Sequence, residues 1–322
     1  MNVTDLIGFS RDLGVRFTLV GVLPMALLAL FVLALVWSGA PADAPDVDRI
    51  LDEARDLDAW SGALLFLALV VAALLAQPLQ LALVRGLEGY WAGTPAGARL
   101  SAPGRALQER RLARLEARLS EPVATIDEAH ALDLRRTRYF PERPEHLLPT
   151  RLGNVLRAGE ERAGAPYGLD AVAVWPRLYP LLADGTRLLV DDLRDGLDLG
   201  ARLCVTFAGA AVIAFALLAQ HGWWLLVPVA SALLAWLAYR GAIASALAYG
   251  EGIRTAIDLH RFELHKALHL ALPATRAAEL VVNAQLTAFL VAEARIDFAY
   301  AHDGTGTAPP GGYPELPTPP AS

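Results

Sequence analysis

The chain has 322 residues, 55% of them hydrophobic and 19% charged, with a mean hydropathy of +0.38. Soluble domains average roughly 45–50% apolar and about 25% charged residues, so this excess points to a membrane protein. The net charge of −6 lacks the basic excess of a nucleic-acid binder, and a single cysteine, Cys204, excludes an internal disulfide or a cysteine-based zinc cluster. Of the 28 Lys and Arg residues only Lys266 is a lysine, a bias that reads as the mark of a GC-rich coding genome.

Residues 1–16 precede a charge-free apolar run, 17–37, "FTLVGVLPMALLALFVLALVW". A membrane helix needs roughly 20 apolar residues, whereas a signal h-region runs only about 7–15, so the run is expected to be an uncleaved anchor. The nearest small-residue site, Ala42-Asp43-Ala44, is followed by Pro45, a poor residue to cleave before. Residues 38–58 form an acidic loop, and a second span is expected over 59–84. Gln77 and Gln80, beside Pro78, are its strongly polar side chains. They could line a pore in an oligomer or hydrogen-bond a neighbouring helix, and the second reading is favoured.

Residues 85–202 form an insert long enough for a small helical module. Within it, "RALQERRLARLEARL" (105–119) sets Leu112, Leu115 and Leu119 on one helical face and Arg110, Arg114 and Arg118 on another. Those arginines could meet anionic lipid headgroups, or the helix could be a surface helix packed on its neighbours. "PERPEHLLP" (141–149) reads as a loop, after which Thr150 can cap a helix that Gly164 and Pro166 stop. The apolar segment 167–182, broken by Pro176 and Pro180, is expected to dock on the bundle or the membrane surface. From Thr186 the pattern is helical again and can run unbroken into the next span.

"DDLRD" (191–195) resembles in spacing the Asp-rich runs that hold Mg²⁺-diphosphate. With no second acidic cluster of such spacing, a solvated acidic helix is the favoured reading of Asp191, Asp192 and Asp195. Third and fourth spans are expected over 203–220 and 223–240, split by His221 and Gly222 so that they form a tight antiparallel hairpin. Further helices follow in 241–302, divided by Pro273, and the Gly- and Pro-rich tail 303–322 is expected to be disordered.

Charge asymmetry sets an expected orientation. The 38–58 loop carries seven acids against Arg49 and Arg55, whereas seven arginines fall within 85–120 and Arg240 closes the fourth span. Positive residues stay cytoplasmic, so both termini and the head are placed inside. The aromatics agree: Trp37, Trp60, Trp223 and Trp224 would mark one interface, Tyr90, Trp91, Trp236 and Tyr239 the other.

"IDLHRFELHKALH" (257–269) gathers three histidines. At 100° per residue Ile253, Ile257, Leu264 and Leu268 share a side with His260, which is expected to be a buried, hydrogen-bonded core residue. Arg254, Asp258, Arg261, His265 and His269 share a neighbouring side. His265 and His269 are i, i+4, a spacing that suits a metal. Two arginines on that face and the absence of an H-E-x-x-H glutamate favour a packed or partner-facing polar stripe instead. The spans hold no buried acid, base or histidine of the kind an ion-coupled carrier uses.

"QPLQLALVRGLEGYW" (77–91), "LPTRLGNVLRAGEERAGAPYGLDAVAVWPRLYPLL" (148–182) and "AYGEGIRTAIDLHRFELHKALHLALP" (248–273) together resemble a family of uncharacterised, mainly actinobacterial, integral membrane proteins. The resemblance covers about half the chain and implies a bacterial inner-membrane protein, without any activity, cofactor or functional residue. Similar sequences tend to carry a tyrosine where His260 stands, which weakens a catalytic role for it.

The reading is therefore an all-α polytopic membrane protein with four transmembrane helices and a mostly helical cytoplasmic head. Its expected role is a non-enzymatic scaffold or interaction protein that contacts membrane lipids, self-associates and presents its head to a cytosolic protein, with no cofactor and no metal. An oligomeric channel with Gln77 and Gln80 near its pore is the alternative, and a Mg²⁺-dependent lipid-modifying enzyme a more distant one.

Overall fold

The computed structural model describes residues 23–89, 91, 95–121, 125–291 and 296–301. Their regular structure is all helical, with no strand among the described residues and one isolated bridge pairing Leu270 with Tyr300. The expected N-terminus 1–16 and tail 303–322 lie outside the described residues, as do the side chains of Gln77 and Gln80. The chain divides into two compact units, Met1–Ala98 with Asp195–Ser245, and Arg99–Arg194 with Ala246–Ser322.

The first unit holds α1 (Leu23–Trp37), α2 (Val47–Arg55) and α3 (Ala59–Glu88). The later part of α8 (Asp184–Leu218) and the early part of α9 (Leu226–Ala267) complete it. Two helices, Asp184–Leu218 and Gly222–Ala267, are long and apolar enough to cross a membrane, while Leu23–Trp37 and Ala59–Ala72 are shorter apolar helices. The expected four spans are thus matched by length in two, and residues 17–22 of the first lie outside the described residues. The acidic loop is not all loop. Asp46 caps α2 by accepting from the Asp48 N–H at 2.9 Å, and Arg49 and Arg55 pair with Asp43 and Asp52.

The surface of this unit is apolar. Phe66, Leu75, Val212 and Trp223 are 69%, 75%, 70% and 69% exposed. Its close contacts use small residues instead. A Cβ built on Gly200 would stand 3.1 Å from the Ala242 Cα, and Ala210, Ala214 and Ala235 are buried. Small residues let helix backbones approach closely, which is how helices pack where apolar burial offers no drive.

The second unit holds α4 (Pro95–Ser120) from Arg99 onward, α5 (Ile126–Tyr139), α6 (Arg151–Gly164) and α7 (Ala171–Leu178). The first turns of α8, the later part of α9 and α10 (Arg276–Leu290) join them. Its main core is conventional: Val174, Leu178, Val190, Ile257, Leu264 and Leu286 are buried together. A satellite core sets Leu115 of α4 against Leu132 of α5 and Phe140 and Leu147 of the following loop, with Leu112 and Leu119 packed on it. The leucine face expected over 105–119 is that packing face.

Caps fall where the chemistry asks for them. Thr150 Oγ1 accepts from the Gly153 N–H at 3.1 Å, and Thr125 and Thr275 do the same for α5 and α10. α6 ends at Gly164, where any Cβ would stand 2.1 Å from the Leu169 carbonyl oxygen. α6 and α9 touch backbone to backbone at Gly159 and Gly250, the Cβ of either falling 3.0–3.1 Å from the other's Cα.

Candidate functional site

The insert builds an arginine-lined cavity of about 370 Å³. Thr125 to Glu128 read T-I-D-E, a capping-box spacing, and acids in the first turn with Arg136 and Arg138 in the last favour α5 through its dipole. Past α5 the chain folds back as 141–149. There Asn154, fully buried, accepts from the Leu148 N–H at 2.7 Å and donates to the Leu148 carbonyl at 3.0 Å. On its other side Gly104 of α4 lies so close to Pro149 that a Cβ would stand 2.9 Å from its carbonyl oxygen. α4, α5 and the start of α6 are thereby held around one hollow.

Leu115, Leu132 and Phe140 give this hollow an apolar wall; Arg111, Arg114, Arg118, Arg135 and Arg151 surround it with Gln108 and Tyr139. Arg118 pairs with Glu128 at 3.1 Å, and the Arg151 guanidinium lies 4.7 Å from the centre of the Tyr139 ring. Arg111, Arg114 and Arg135 have no hydrogen bond or ion pair among the described residues. Gln108 is 4% exposed. Of the arginine trio taken from the sequence, Arg114 and Arg118 line the cavity, whereas Arg110 is exposed outside it. Arg111, Arg135, Arg151 and Gln108 were missed. The T-I-D-E cap and the i, i+3, i+7 spacing of Leu132, Arg135 and Tyr139 were the signals that could have found α5.

A second polar cluster fastens the loop to α6. Glu161 accepts from the Glu142 N–H at 2.7 Å, meets His146 Nδ1 in a short hydrogen bond, and pairs with Arg157 at 3.4 Å. Arg157 also pairs with Glu160 at 3.3 Å. Burial pushes the Glu160 carboxyl above its ordinary range, a push that the Arg157 charge opposes. These groups satisfy one another, as a structural clamp does.

The histidine-rich stretch belongs to a third cluster, between α9, α10 and the turn at 165–167. Arg261 pairs with Glu279 at 2.7 Å and lies 4.2 Å from the Tyr167 ring centre, and the Tyr167 hydroxyl donates to Asp258 at 2.8 Å. His265 is fully buried and hydrogen-bonds Asn283 Oδ1 at 2.7 Å; Asn283 Nδ2 in turn donates to the Tyr167 carbonyl at 2.8 Å. Of the polar stripe, Asp258, Arg261 and His265 are packed, with α10 partnering Arg261 and His265, whereas His269 is exposed beyond the end of α9. His265 and His269 do not share a helical face, because α9 ends at Ala267 and His269 has a φ of 55°. His260 is half-buried rather than a core residue, with Nε2 3.2 Å from Thr186 Oγ1. Burial lowers the His265 pKa from its ordinary value, with the Asn283 bond and Glu279 opposing and Arg261 adding to the shift.

In the DDLRD run, Asp191 accepts the Tyr179 hydroxyl at 2.7 Å. Among the described residues no group of His, Cys, Asp and Glu is arranged to hold a metal ion. Cys204 is buried. Compared with family models, curated proteins and solved structures, the chain matches none.

Proposed function

We propose that this chain is a polytopic bacterial plasma-membrane protein that serves as a non-enzymatic scaffold, anchoring a helical cytoplasmic head. In this reading 17–37, 59–84, 203–220 and 223–240 span the bilayer, both termini are cytoplasmic, and the protein self-associates while its head meets a cytosolic protein. The observation that carries it is the outward apolar surface of the first unit. Large side chains face out along α1, α3, α8 and α9, as with Leu30, Phe66, Val212 and Leu233, while glycine and alanine sit at the contacts. Soluble monomers rarely expose contiguous apolar patches beyond a few hundred Å². Trp60 and Trp223 near the ends of these runs, and Arg240 lying 5.1 Å from the Trp236 ring centre, suit a bilayer interface.

Two measurements test it. The protein should stay with membranes through alkaline carbonate extraction; release into the soluble fraction would reject the anchor. In liposomes the purified protein should pass ions no faster than empty vesicles do. Ion flux that is lost on Gln77→Leu would replace the scaffold with an oligomeric channel.

A further inference from the structure

We propose that the arginine cavity of the insert is a binding site for a phosphate-bearing anion. Five guanidiniums line it and, among the described residues, no carboxylate does. Arg111, Arg114 and Arg118 come from successive turns of α4, Arg135 from α5 and Arg151 from the first residue of α6. Arg111, Arg114, Arg118 and Arg135 are exposed, and with Arg151 they bring charge from three helices to one open hollow. Like charges at i, i+3 and i, i+4 destabilise a helix, so this arrangement needs something to offset it. Glu128 answers Arg118 at 3.1 Å and the Tyr139 ring faces Arg151, which leaves Arg111, Arg114 and Arg135 with no protein acceptor among the described residues. Gln108, 4% exposed and lining the same cavity, adds a neutral amide donor that a bound oxyanion can accept from.

Guanidinium is the group that suits phosphate. Its planar fork makes paired N–H···O bonds to two oxygens, and it stays charged at every relevant pH. The Leu115, Leu132 and Phe140 wall adds an apolar surface for the carbon portion of a phosphate ester. A lipid headgroup and a soluble phosphate share this chemistry. Only the lipid source rests on the membrane reading.

The test uses the full chain in a neutral detergent, titrated calorimetrically with inorganic pyrophosphate. Parallel samples sit in nanodiscs of phosphatidylcholine with or without phosphatidylglycerol. Saturable pyrophosphate binding is expected, weakened about tenfold for each guanidinium removed in Arg135→Gln and in Arg114→Gln with Arg135→Gln. Arg110→Gln, on the same helix but outside the cavity, should leave it unchanged. If phosphatidylglycerol blocks pyrophosphate and is retained in native mass spectra of wild type but not of the double variant, the occupant is lipid. If it leaves pyrophosphate binding untouched, the occupant is a soluble phosphate. Neither pyrophosphate binding nor phosphatidylglycerol retention, or an equal loss with Arg110→Gln, would overturn the site. A chain released by carbonate that still binds pyrophosphate would lose the membrane reading and keep the cavity.

Discussion

His265 Nε2 donates to Asn283 Oδ1 at 2.7 Å, and both residues are 0% exposed. The Asn283 amide is oriented by its own donation to the Tyr167 carbonyl at 2.8 Å, so one side chain joins α9, α10 and the 165–167 turn. Such a bridge makes little net stability while complete and is costly once broken, because each orphaned buried group keeps its desolvation cost.

Asn283→Ala orphans the His265 N–H and the Tyr167 carbonyl together. At about 1–3 kcal/mol for each group, the thermal midpoint in detergent should fall by about 5–10 °C. An unchanged midpoint would mean that water or a rearranged side chain takes over the bridge.

The same pair sets a pH dependence. Burial holds the His265 pKa below its ordinary 6.5, so the unfolded chain takes up a proton before the folded one does. The stability His265 contributes is therefore present above pH 6.5 and lost as pH falls from there toward the folded value. Glu279 and Arg261, the charged groups facing it, act in opposite directions. Thermal melts of wild type from neutral to mildly acidic pH should show this decline. His265→Gln, which keeps a donor for Asn283 but cannot titrate there, should flatten it. An equal decline in both proteins would place the titration elsewhere.

Two glycine substitutions should have opposite signs. Gly159→Ala puts a methyl 3.0 Å from the Gly250 Cα, where backbone cannot yield, and should cost about 1–3 kcal/mol. Gly241→Ala, with nothing within 4 Å of its Cβ, should instead gain up to about 1 kcal/mol from helix propensity. The check is the thermal midpoint of each variant, and a midpoint for Gly159→Ala at or above that of wild type would reject the close approach of α6 to α9.

What the sequence made legible was local. Thr150 before an apolar stripe predicted the start of α6, and the pattern from Thr186 predicted a helix running into the apolar segment; α8 spans Asp184–Leu218. A helical wheel placed Ile253, Ile257 and Leu264 on the buried side, where they are. It could not show that α10 also covers the adjoining side, since that depends on residues 18 positions further along, as in Arg261 with Glu279 and His265 with Asn283. The reach of α9 was misjudged at its end for a similar reason. The segment after Ala267 turns at His269 and pairs Leu270 with Tyr300, a contact that no local pattern encodes. The cavity was half legible. The spacing of Arg114 and Arg118 was visible on one helix, whereas Arg135 and Arg151 join them only once the loop clamped by Asn154 has folded back.

The central claim, a bilayer anchor with its head inside, is tested most directly by single-cysteine labelling in intact cells. Two positions suffice in a Cys204→Ala background, Asp46→Cys in the acidic segment and Glu109→Cys in the insert, both exposed in the fold. The account predicts that a membrane-impermeant maleimide labels the first in intact cells and the second only after lysis. Labelling of the second in intact cells, with protection of the first, would contradict it.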